Sequence, residues 1–356
     1  MTTSIDPVAP ATSAAAFGDP AVAPGATIAP ASPDARCAKT AVPDFSAHKL
    51  VALGGGTGLP VVLDAAQSLG MQPSAIVSMA DDGGSTGRLR RELGLLPPGD
   101  VRNCLTALAA PEKHDLARLI DYRFEEGEGI AGHSLGNLML AAATDEMGSF
   151  ESAVKLFEGL LHTGGRVLPS SFDTLTLHGY DHAGEEIYGQ ASLTCSTTAI
   201  ASVTLSPQQP AANPEALDVL CQADSVVIAP GSLFTSIIPN LLIPDIAAAV
   251  RESRARLIFC CNVANMKGET ASYTILDYIT TLEAYGLKDR IDAVLLPYSM
   301  YDERDVQLLE SRGMQIVVTA LASAENTQYH DEHKLASALP GLLPGSPSDA
   351  ALSCEK

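Results

Sequence analysis

Short apolar runs rich in β-branched residues recur along the chain and alternate with segments of helical periodicity. Such runs predict buried strands, and their alternation with helices is typical of an α/β protein with a parallel sheet. We predict strands at about 49–53, 75–80, 225–229, 256–262, 292–296 and 315–319. One helical face is clear at Ile275, Leu276, Ile279 and Leu282,. The pattern therefore predicts an α/β fold with a doubly wound, mostly parallel, Rossmann-like sheet.

The pattern changes between about residues 170 and 205, where strict alternation replaces helical periodicity. Residues 174–180 and 186–194 alternate polar and apolar side chains on either side of a polar turn. Alternation of this kind predicts antiparallel strands joined as a hairpin. We therefore expect a small β-insertion around 170–205.

The two ends of the chain lack this patterning. Residues 1–46 are dominated by Ala, Pro, Ser and Thr, a composition that buries too little apolar surface to offset the entropy of ordering. They also lack the basic region and compact apolar segment of a secretory signal. We expect a disordered N-terminal tail over 1–46, one α/β domain over 47–340 and a flexible C-terminal tail over 341–356.

Composition and charge exclude several function classes. The 356 residues are 46% hydrophobic, enough for a large core. A formal net charge of −20 repels nucleic acids and anionic lipids, so an anionic ligand must be captured by local N–H groups and a few arginines. No apolar run approaches the roughly 20 residues that span a bilayer. Seven cysteines, two of them adjacent in an apolar strand at Cys260 and Cys261, indicate reduced thiols and a cytoplasmic protein.

A glycine-rich turn follows the first predicted strand. It consists of Gly54, Gly55, Gly56, Thr57 and Gly58. Glycines permit a tight turn that leaves N–H groups open to an anion at a helix N-terminus, so the turn predicts a phosphate-binding cradle. No Gly-Lys-Ser/Thr follows, and the last position of a dinucleotide fingerprint is occupied by Leu59. Both a Walker A loop and an NAD-dependent redox site are therefore disfavoured.

A second glycine-rich turn follows the second predicted strand. It contains Asp81, Asp82, Gly83 and Gly84, with Arg88 one turn further on. Neighbouring strand-to-helix turns meet at one edge of an open α/β sheet, so both turns are expected to face one ligand. Adjacent carboxylates suit a ribose or Mg²⁺ on a diphosphate, and Arg88 suits a phosphate. The alternative is a solvated turn with helix-capping aspartates.

Two helix starts offer further polar contacts. Asp100 is an expected N-cap after Pro97-Pro98-Gly99,. The amide of Asn103 near this start is placed to reach a base or a sugar hydroxyl, unless it is a plain surface residue. The second start has three candidates for hydrogen bonds to a phosphate, which are His133, Ser134 and Asn137. A catalytic His–Ser pair is disfavoured because adjacent helical residues point about 100° apart.

A third strand-to-helix turn contains Gly231 and Ser232 and is also able to offer N–H groups to an anion,. Asn262 ends the next predicted strand and is expected to bond the same ligand from across the sheet edge. Its alternative role is a turn-forming side chain that bonds local backbone. These three residues complete the predicted nucleotide or phosphate site.

Long motifs in this order closely resemble the gluconeogenesis factor family (YvcK-type). They include Gly54-Gly55-Gly56-Thr57-Gly58, Ala80-Asp81-Asp82-Gly83-Gly84-Ser85-Thr86-Gly87-Arg88, Leu96-Pro97-Pro98-Gly99-Asp100-Val101-Arg102-Asn103, Gly132-His133-Ser134-Leu135-Gly136-Asn137 and Ala229-Pro230-Gly231-Ser232-Leu233. The resemblance covers roughly residues 48–340. The wider superfamily contains the 2-phospho-L-lactate transferases, which share the fold and a glycine-rich nucleotide site.

The resemblance implies a cytosolic regulatory protein that binds a nucleotide sugar such as a UDP-sugar. Such a regulator links carbon metabolism during gluconeogenic growth to cell-wall synthesis and cell shape through protein partners, and no residue is then catalytic. The alternative is a metal-dependent transferase in which Asp81 and Asp82 hold Mg²⁺ on a nucleotide-diphosphate donor. The motifs match the regulator branch. Residues 329–335 depart from the family's usual pattern, so no ligand role is carried over to them, and homo-oligomer formation stays open.

Overall fold

The computed structural model describes residues 44–344. The predicted tails lie largely outside the described residues, and their predicted disorder stays a prediction. At the two boundaries, however, Phe45, Leu342 and Leu343 are buried in the hydrophobic core. These apolar side chains add to the core of the domain, and the predicted domain limits stay a prediction.

Ten strands are present among the described residues. They are β1 Leu50–Gly54, β2 Ser74–Val77, β3 Arg166–Pro169, β4 Thr176–Asp181, β5 Glu186–Tyr188, β6 Ile200–Ser206, β7 Ser225–Ile228, β8 Arg256–Cys260, β9 Ala293–Pro297 and β10 Gln315–Thr319. All six predicted sheet strands are found within a few residues of the expected positions. The edge strand β3 was not predicted, because only four residues pair and they begin with an arginine and end with a proline.

Helices connect these strands. They are α1 Gly58–Ser68, α2 Gly84–Leu93, α3 Gly99–Ala107, α4 His114–Asp121, α5 Leu135–Met147, α6 Phe150–Leu161, α7 Gln190–Thr194, α8 Pro214–Gln222, α9 Ile238–Leu241, α10 Pro244–Glu252, α11 Ile275–Leu282, α12 Glu303–Ser311 and α13 Glu332–Ala338. Side chains fix many of their starts. In α11, for example, Thr274 and Asp277 form a reciprocal capping box,, while Ile275, Ile279 and Leu282 are buried as predicted.

Seven strands form one parallel sheet in the order β10-β9-β8-β7-β1-β2-β3. Leu53 at the centre of the sheet pairs with Ile76 on one side and Ile228 on the other. The chain therefore runs outward from β1 to β3 and then returns to β7 on the opposite side of β1. This reversal is the topological switch point, where open α/β sheets bind ligands at the carboxyl ends of the strands. The predicted doubly wound, Rossmann-like fold is confirmed.

The insertion is a separate three-stranded antiparallel sheet in the order β5-β4-β6. One part of the prediction is wrong, since residues 190–194 form helix α7 and do not continue strand β5. Gly189 has φ +88°, a left-handed conformation that ends the strand and turns the chain into the helix. Strand β6, the edge strand beside β4, was not predicted as a separate strand.

Within residues 44–344, no single helix combines the length and apolar composition needed to cross a membrane. One pair of consecutive helical segments, Leu233–Leu241 and Pro244–Glu252, meets that test only when joined, and it is bent by 81°.

Candidate functional site

An open cleft of about 560 Å³ lies at the carboxyl ends of β1, β7 and β8, at the switch point of the sheet. Its volume is within the usual range of small-molecule sites. Six of the predicted site residues line it, namely Gly56, Thr57, Gly58, Gly231, Ser232 and Asn262. The structure thus brings the first and third glycine-rich turns together around one cavity.

The first turn is built by close backbone packing. Gly56 has φ +64°, and a Cβ on Gly58 would lie 1.9 Å from the carbonyl oxygen of Pro230 in the third turn. The two turns therefore touch through their backbones, which no larger residue at position 58 would allow. Gly54 ends β1 beside Ala229, and Gly55 lies next to the Asp100 carboxylate.

Asp100 faces the first turn and is not the predicted N-cap, because α3 begins at Gly99. Its Oδ2 accepts a hydrogen bond from the Gly56 N–H at 2.6 Å. Burial, with a contribution from nearby Asp81, raises the pKa of Asp100 to about 6. One N–H group of the predicted phosphate cradle is thus occupied by a carboxylate, so an anionic ligand would bind beside Asp100 more readily once that carboxyl is protonated.

The third turn is clamped by Asn262. Its side-chain oxygen accepts from the Gly231 N–H at 2.7 Å, and its amide donates to the Gly231 carbonyl at 2.8 Å. Asn262 therefore bonds backbone of another segment while also lining the cleft. Ser232 accepts from the Thr235 N–H at 3.1 Å and donates to the carboxylate of Glu269.

Glu269 is a functional candidate that sequence reasoning did not single out. It is buried behind Ser232, and burial raises the pKa of its carboxyl. Its Oε2 has no hydrogen-bond partner among the described residues. The Ser232 hydroxyl lies between this carboxyl and the cleft, which makes Ser232 a polarised part of the cleft wall.

The Asp-Asp-Gly-Gly turn lies beside the cleft without lining it. Asp81 Oδ1 accepts from the Gly83 N–H at 3.0 Å, and burial raises the pKa of Asp81. Both oxygens of Asp82 accept backbone N–H groups at the start of α7, from Ala191 at 2.8 Å and Gln190 at 3.2 Å. Within the described part of the chain, no group of three or more His, Cys, Asp or Glu side chains could hold a metal ion. Asp82 is thus positioned as a capping aspartate, the alternative named for this turn.

The remainder of this block also makes structural contacts. Gly83 is the N-cap of α2, and Gly84 is its first residue. Arg88 donates to the Ala131 carbonyl at 2.7 Å. Arg90, which was not predicted as a site residue, donates to the carbonyls of Asp81 and Leu175, each at 2.6 Å. Arg90 thereby ties the turn to the strand region of the insertion.

The residues predicted to contact a phosphate at the start of α5 form a buried polar cluster with Ser85. The His133 ring is hydrogen-bonded to the Ser85 hydroxyl at 2.8 Å, and the Asn137 amide donates to the same hydroxyl at 3.1 Å. Ser134 caps its own helix by accepting from the Asn137 N–H. Burial lowers the pKa of His133. This cluster joins α2 to α5 and does not line the 560 Å³ cleft.

Asn103 lines a second, more open cleft of about 700 Å³. Its side-chain oxygen accepts from Arg102, whose guanidinium also pairs with Asp121 at 3.5 Å. Asp64 also lines the second cleft. Burial and nearby Glu332 raise the pKa of Asp64 to about 7. The structure therefore separates Asn103 from the residues of the first cleft, although Thr57 lines both.

The residues that line the first cleft also include Gln190, Lys267, Tyr329 and His330, none of which was predicted as a site residue. Lys267 is exposed and has no hydrogen-bond or ion-pair partner among the described residues. No local pattern marks these positions as site residues. They lie in the insertion, in a loop after β8 and in a segment near residue 330, and only tertiary folding brings them together.

The fold is that of an α/β protein with a cleft at the switch point of its sheet, and comparison with known proteins identifies its family. Residues 50–332 match the family described as 2-phospho-L-lactate transferase CofD. The gluconeogenesis factor of Bacillus subtilis is 38% identical over 83% of this chain and 98% of its own length. A putative gluconeogenesis factor of Nostoc is 40% identical over 83% of this chain and 68% of its own. The chain therefore belongs to the CofD family, among the gluconeogenesis factors.

A solved structure supports the same assignment. A crystal structure of a Bacillus halodurans protein superposes with a TM-score of 0.76 at 36% identity. The match covers 82% of this chain and 98% of that protein. Residues 1–49 and 333–356 lie outside the range that the family model matches.

Proposed function

We propose that this protein is a cytoplasmic regulator that binds a nucleotide sugar, such as a UDP-sugar, in the 560 Å³ cleft. In this proposal the bound ligand reports the state of carbon metabolism during gluconeogenic growth. The regulator then acts on cell-wall synthesis and cell shape through protein partners. The proposal applies to this chain what its family membership suggests, and the geometry of the cleft supports it.

The convergence of two glycine-rich turns at the switch point is the observation that carries the proposal. Gly56 and Gly231 both lie on the cleft wall, where parallel α/β sheets bind nucleotides. Lys267, which has no ion-pair partner within residues 44–344, adds a positive charge at the same cavity in a protein whose net charge is −20. A diphosphate would find its local counter-charge there, and the size of the cleft suits a nucleotide.

The transferase is the second candidate, favoured by the matched description of the family. It would use Mg²⁺ to neutralise charge on a nucleotide diphosphate. The residues fit this metal poorly, because both oxygens of Asp82 and one of Asp81 already accept backbone N–H groups. A regulator needs no such metal site, so the hydrogen bonding of these carboxylates favours the regulator.

A thermal-shift screen tests the proposal. The ligands are UDP-sugars, GDP, NAD and deazaflavin precursors, each with and without Mg²⁺. Binding stabilises the folded state by RT ln(1 + [L]/Kd), about 2.7 kcal/mol at a hundredfold excess over Kd. We expect a UDP-sugar to give the largest shift with or without the metal. A shift confined to GDP and a deazaflavin precursor with Mg²⁺ would instead support the transferase.

A further inference from the structure

The segment 328–330 forms one wall of the cleft and carries an exposed aromatic side chain. Tyr329 is 52% exposed and lines the cavity. Its ring makes no aromatic contact, and its hydroxyl has no hydrogen-bond partner among residues 44–344. A large, half-exposed ring in a ligand-sized cavity is a candidate for direct ligand contact.

The backbone around this ring is fixed on both sides. The Tyr329 N–H donates to the Asn326 carbonyl at 3.0 Å, and its carbonyl accepts from the Ser323 N–H at 2.8 Å. His330 donates its Nε2–H to the carbonyl of Cys261 at 3.0 Å, just past the end of β8. Burial lowers the pKa of His330, so this contact is made by a neutral ring near pH 7. Only the two side-chain torsions of Tyr329 remain to be ordered on binding, which keeps the entropic cost of a ring contact small.

Charge and aromatic surface therefore meet in one cavity. Lys267 is exposed and unpaired within the described chain, and it lines the same cleft as Tyr329 and the first glycine-rich turn. A ligand that uses both groups carries an anion and a planar ring. Nucleoside diphosphates have this combination, whereas sugar phosphates lack the ring and nucleosides lack the anion.

We infer that Tyr329 is the base-stacking platform of the cleft and that Lys267 pairs with the phosphates of the same ligand. The inference rests on the proposed function, and it specifies that the cleft recognises a nucleobase as well as a diphosphate. Base–aromatic stacking tolerates any base. The platform thus secures a nucleotide without selecting uracil over other bases.

Affinity measurements by calorimetry with UDP, UDP-glucose and inorganic pyrophosphate test the platform. We expect Tyr329→Ala to weaken UDP and UDP-glucose binding roughly ten- to a hundredfold and to leave pyrophosphate unchanged. Tyr329→Phe keeps the ring and is expected to bind like the wild type. Tyr298→Ala is the matched control, because Tyr298 is 66% exposed but lies outside the cleft.

Fluorescence provides a signature that a purely structural role would not produce. The chain contains no Trp, so Tyr329→Trp and the control Tyr298→Trp each introduce a single reporter. We expect UDP to quench the emission of Tyr329→Trp, pyrophosphate to leave it unchanged, and neither ligand to affect Tyr298→Trp. This variant also keeps the inference testable if Tyr329→Ala fails to fold.

Lys267→Met tests the other contact, with Lys288→Met as an exposed control outside the cleft. We expect Lys267→Met to weaken UDP and pyrophosphate by the same factor. If the wild type binds UDP and Tyr329→Ala binds it equally well, the platform is overturned and the proposed function stands. If the wild type binds neither UDP nor UDP-glucose, the proposed function fails and the platform fails with it.

Discussion

The first and second glycine-rich turns look alike in sequence, yet the structure uses them differently. Residues 56–58 of the first turn line the cleft, whereas the turn at 81–84 lies beside it and is hydrogen-bonded to the start of α7. In the second turn, Asp82 caps α7, whose Gln190 in turn lines the cleft. Carboxylates beside a glycine-rich turn are therefore not evidence of a metal site until their hydrogen-bond partners are known.

Gly189 shows how closely the second turn and the insertion fit. A Cβ at this position would lie 2.5 Å from Asp82 Oδ2. The absence of a side chain at Gly189 thus allows the carboxylate to reach the start of α7. The first turn forms the cavity directly, while the second positions one of its walls.

The largest expected effect comes from the first turn. We expect Gly58→Ala to cost about 3 kcal/mol or more of unfolding free energy, because its Cβ would overlap the Pro230 carbonyl, which cannot move without displacing the third turn,. Urea denaturation measures this loss. Gly159→Ala in α6 is the control, since a Cβ there meets nothing within 4 Å and should stabilise the helix by about 0.5–1 kcal/mol. Equal stabilities for the two variants would show that the turns are not in backbone contact.

Asp82→Ala should have a smaller effect that extends to the cleft. Loss of two N–H acceptors at a helix start costs about 1–2 kcal/mol, and we expect faster hydrogen exchange at residues 190–194 together with weaker UDP-glucose binding. Asp302→Ala is matched to it, because Asp302 accepts two N–H groups at the start of α12. That control should lose similar stability and retain its affinity. Unchanged exchange at 190–194 in Asp82→Ala would contradict the capping role.

Asp100 makes the first turn sensitive to pH. The pKa of this carboxyl is about 6 in the folded state against 3.8 as its ordinary value, so the folded state binds the proton more tightly. Its contribution to stability is therefore complete below pH 3.8 and is lost as the pH rises through 6. Asp100→Asn should be more stable than the wild type above pH 6, with the difference shrinking at lower pH.

Ligand affinity is expected to follow the same titration. UDP-glucose should bind the wild type a few-fold more tightly at pH 5.5 than at pH 8. The pKa of Asp100 is about 6, so lowering the pH across this range protonates its carboxylate and removes a negative charge beside the Gly56 N–H,. Asp100→Asn should bind with little dependence on pH, and calorimetry across this range compares the two proteins. A wild-type affinity that does not change with pH would place the phosphates away from Gly56.

The sequence predicted the sheet well because its strands are buried on both faces. The runs at β7 and β8, for instance, are almost continuously apolar,. Helix α7 was missed because its alternation imitates a strand and its start depends on Asp82, a residue 108 positions away from Gln190. A local sequence pattern does not indicate a hydrogen-bond partner so distant in the chain.

The residues that line the cleft could be predicted only where a local sequence pattern, such as glycines directly after a strand, indicates a binding turn. Gly56 and Gly231 were identified because glycine after a strand has a local physical reason. Tyr329 and Lys267 were not, since neither residue type is unusual on a surface and only the folding of distant segments brings them to one cavity. The cluster of His133 and Asn137 with Ser85 was not predicted, because Ser85 lies on a different helix.

The smallest expected effect decides whether the second turn takes any part in catalysis. Asp82→Asn keeps an acceptor oxygen for α7, so we expect UDP-glucose affinity to fall only a few-fold, by about 1 kcal/mol or less, and Mg²⁺ to change neither protein's affinity. Wild-type protein with Mg²⁺ should leave UDP-glucose intact for hours, as chromatography of the nucleotide would show. A transferase would behave differently, because carboxylates that hold a metal on a leaving diphosphate stabilise charge that grows in the transition state, and their loss damages turnover far more than binding. The contradicting result is group transfer from a nucleotide-diphosphate donor that requires both Mg²⁺ and Asp82 and that persists in the control Asp302→Asn. Both turns would then take part in the ligand site, and the protein would be an enzyme.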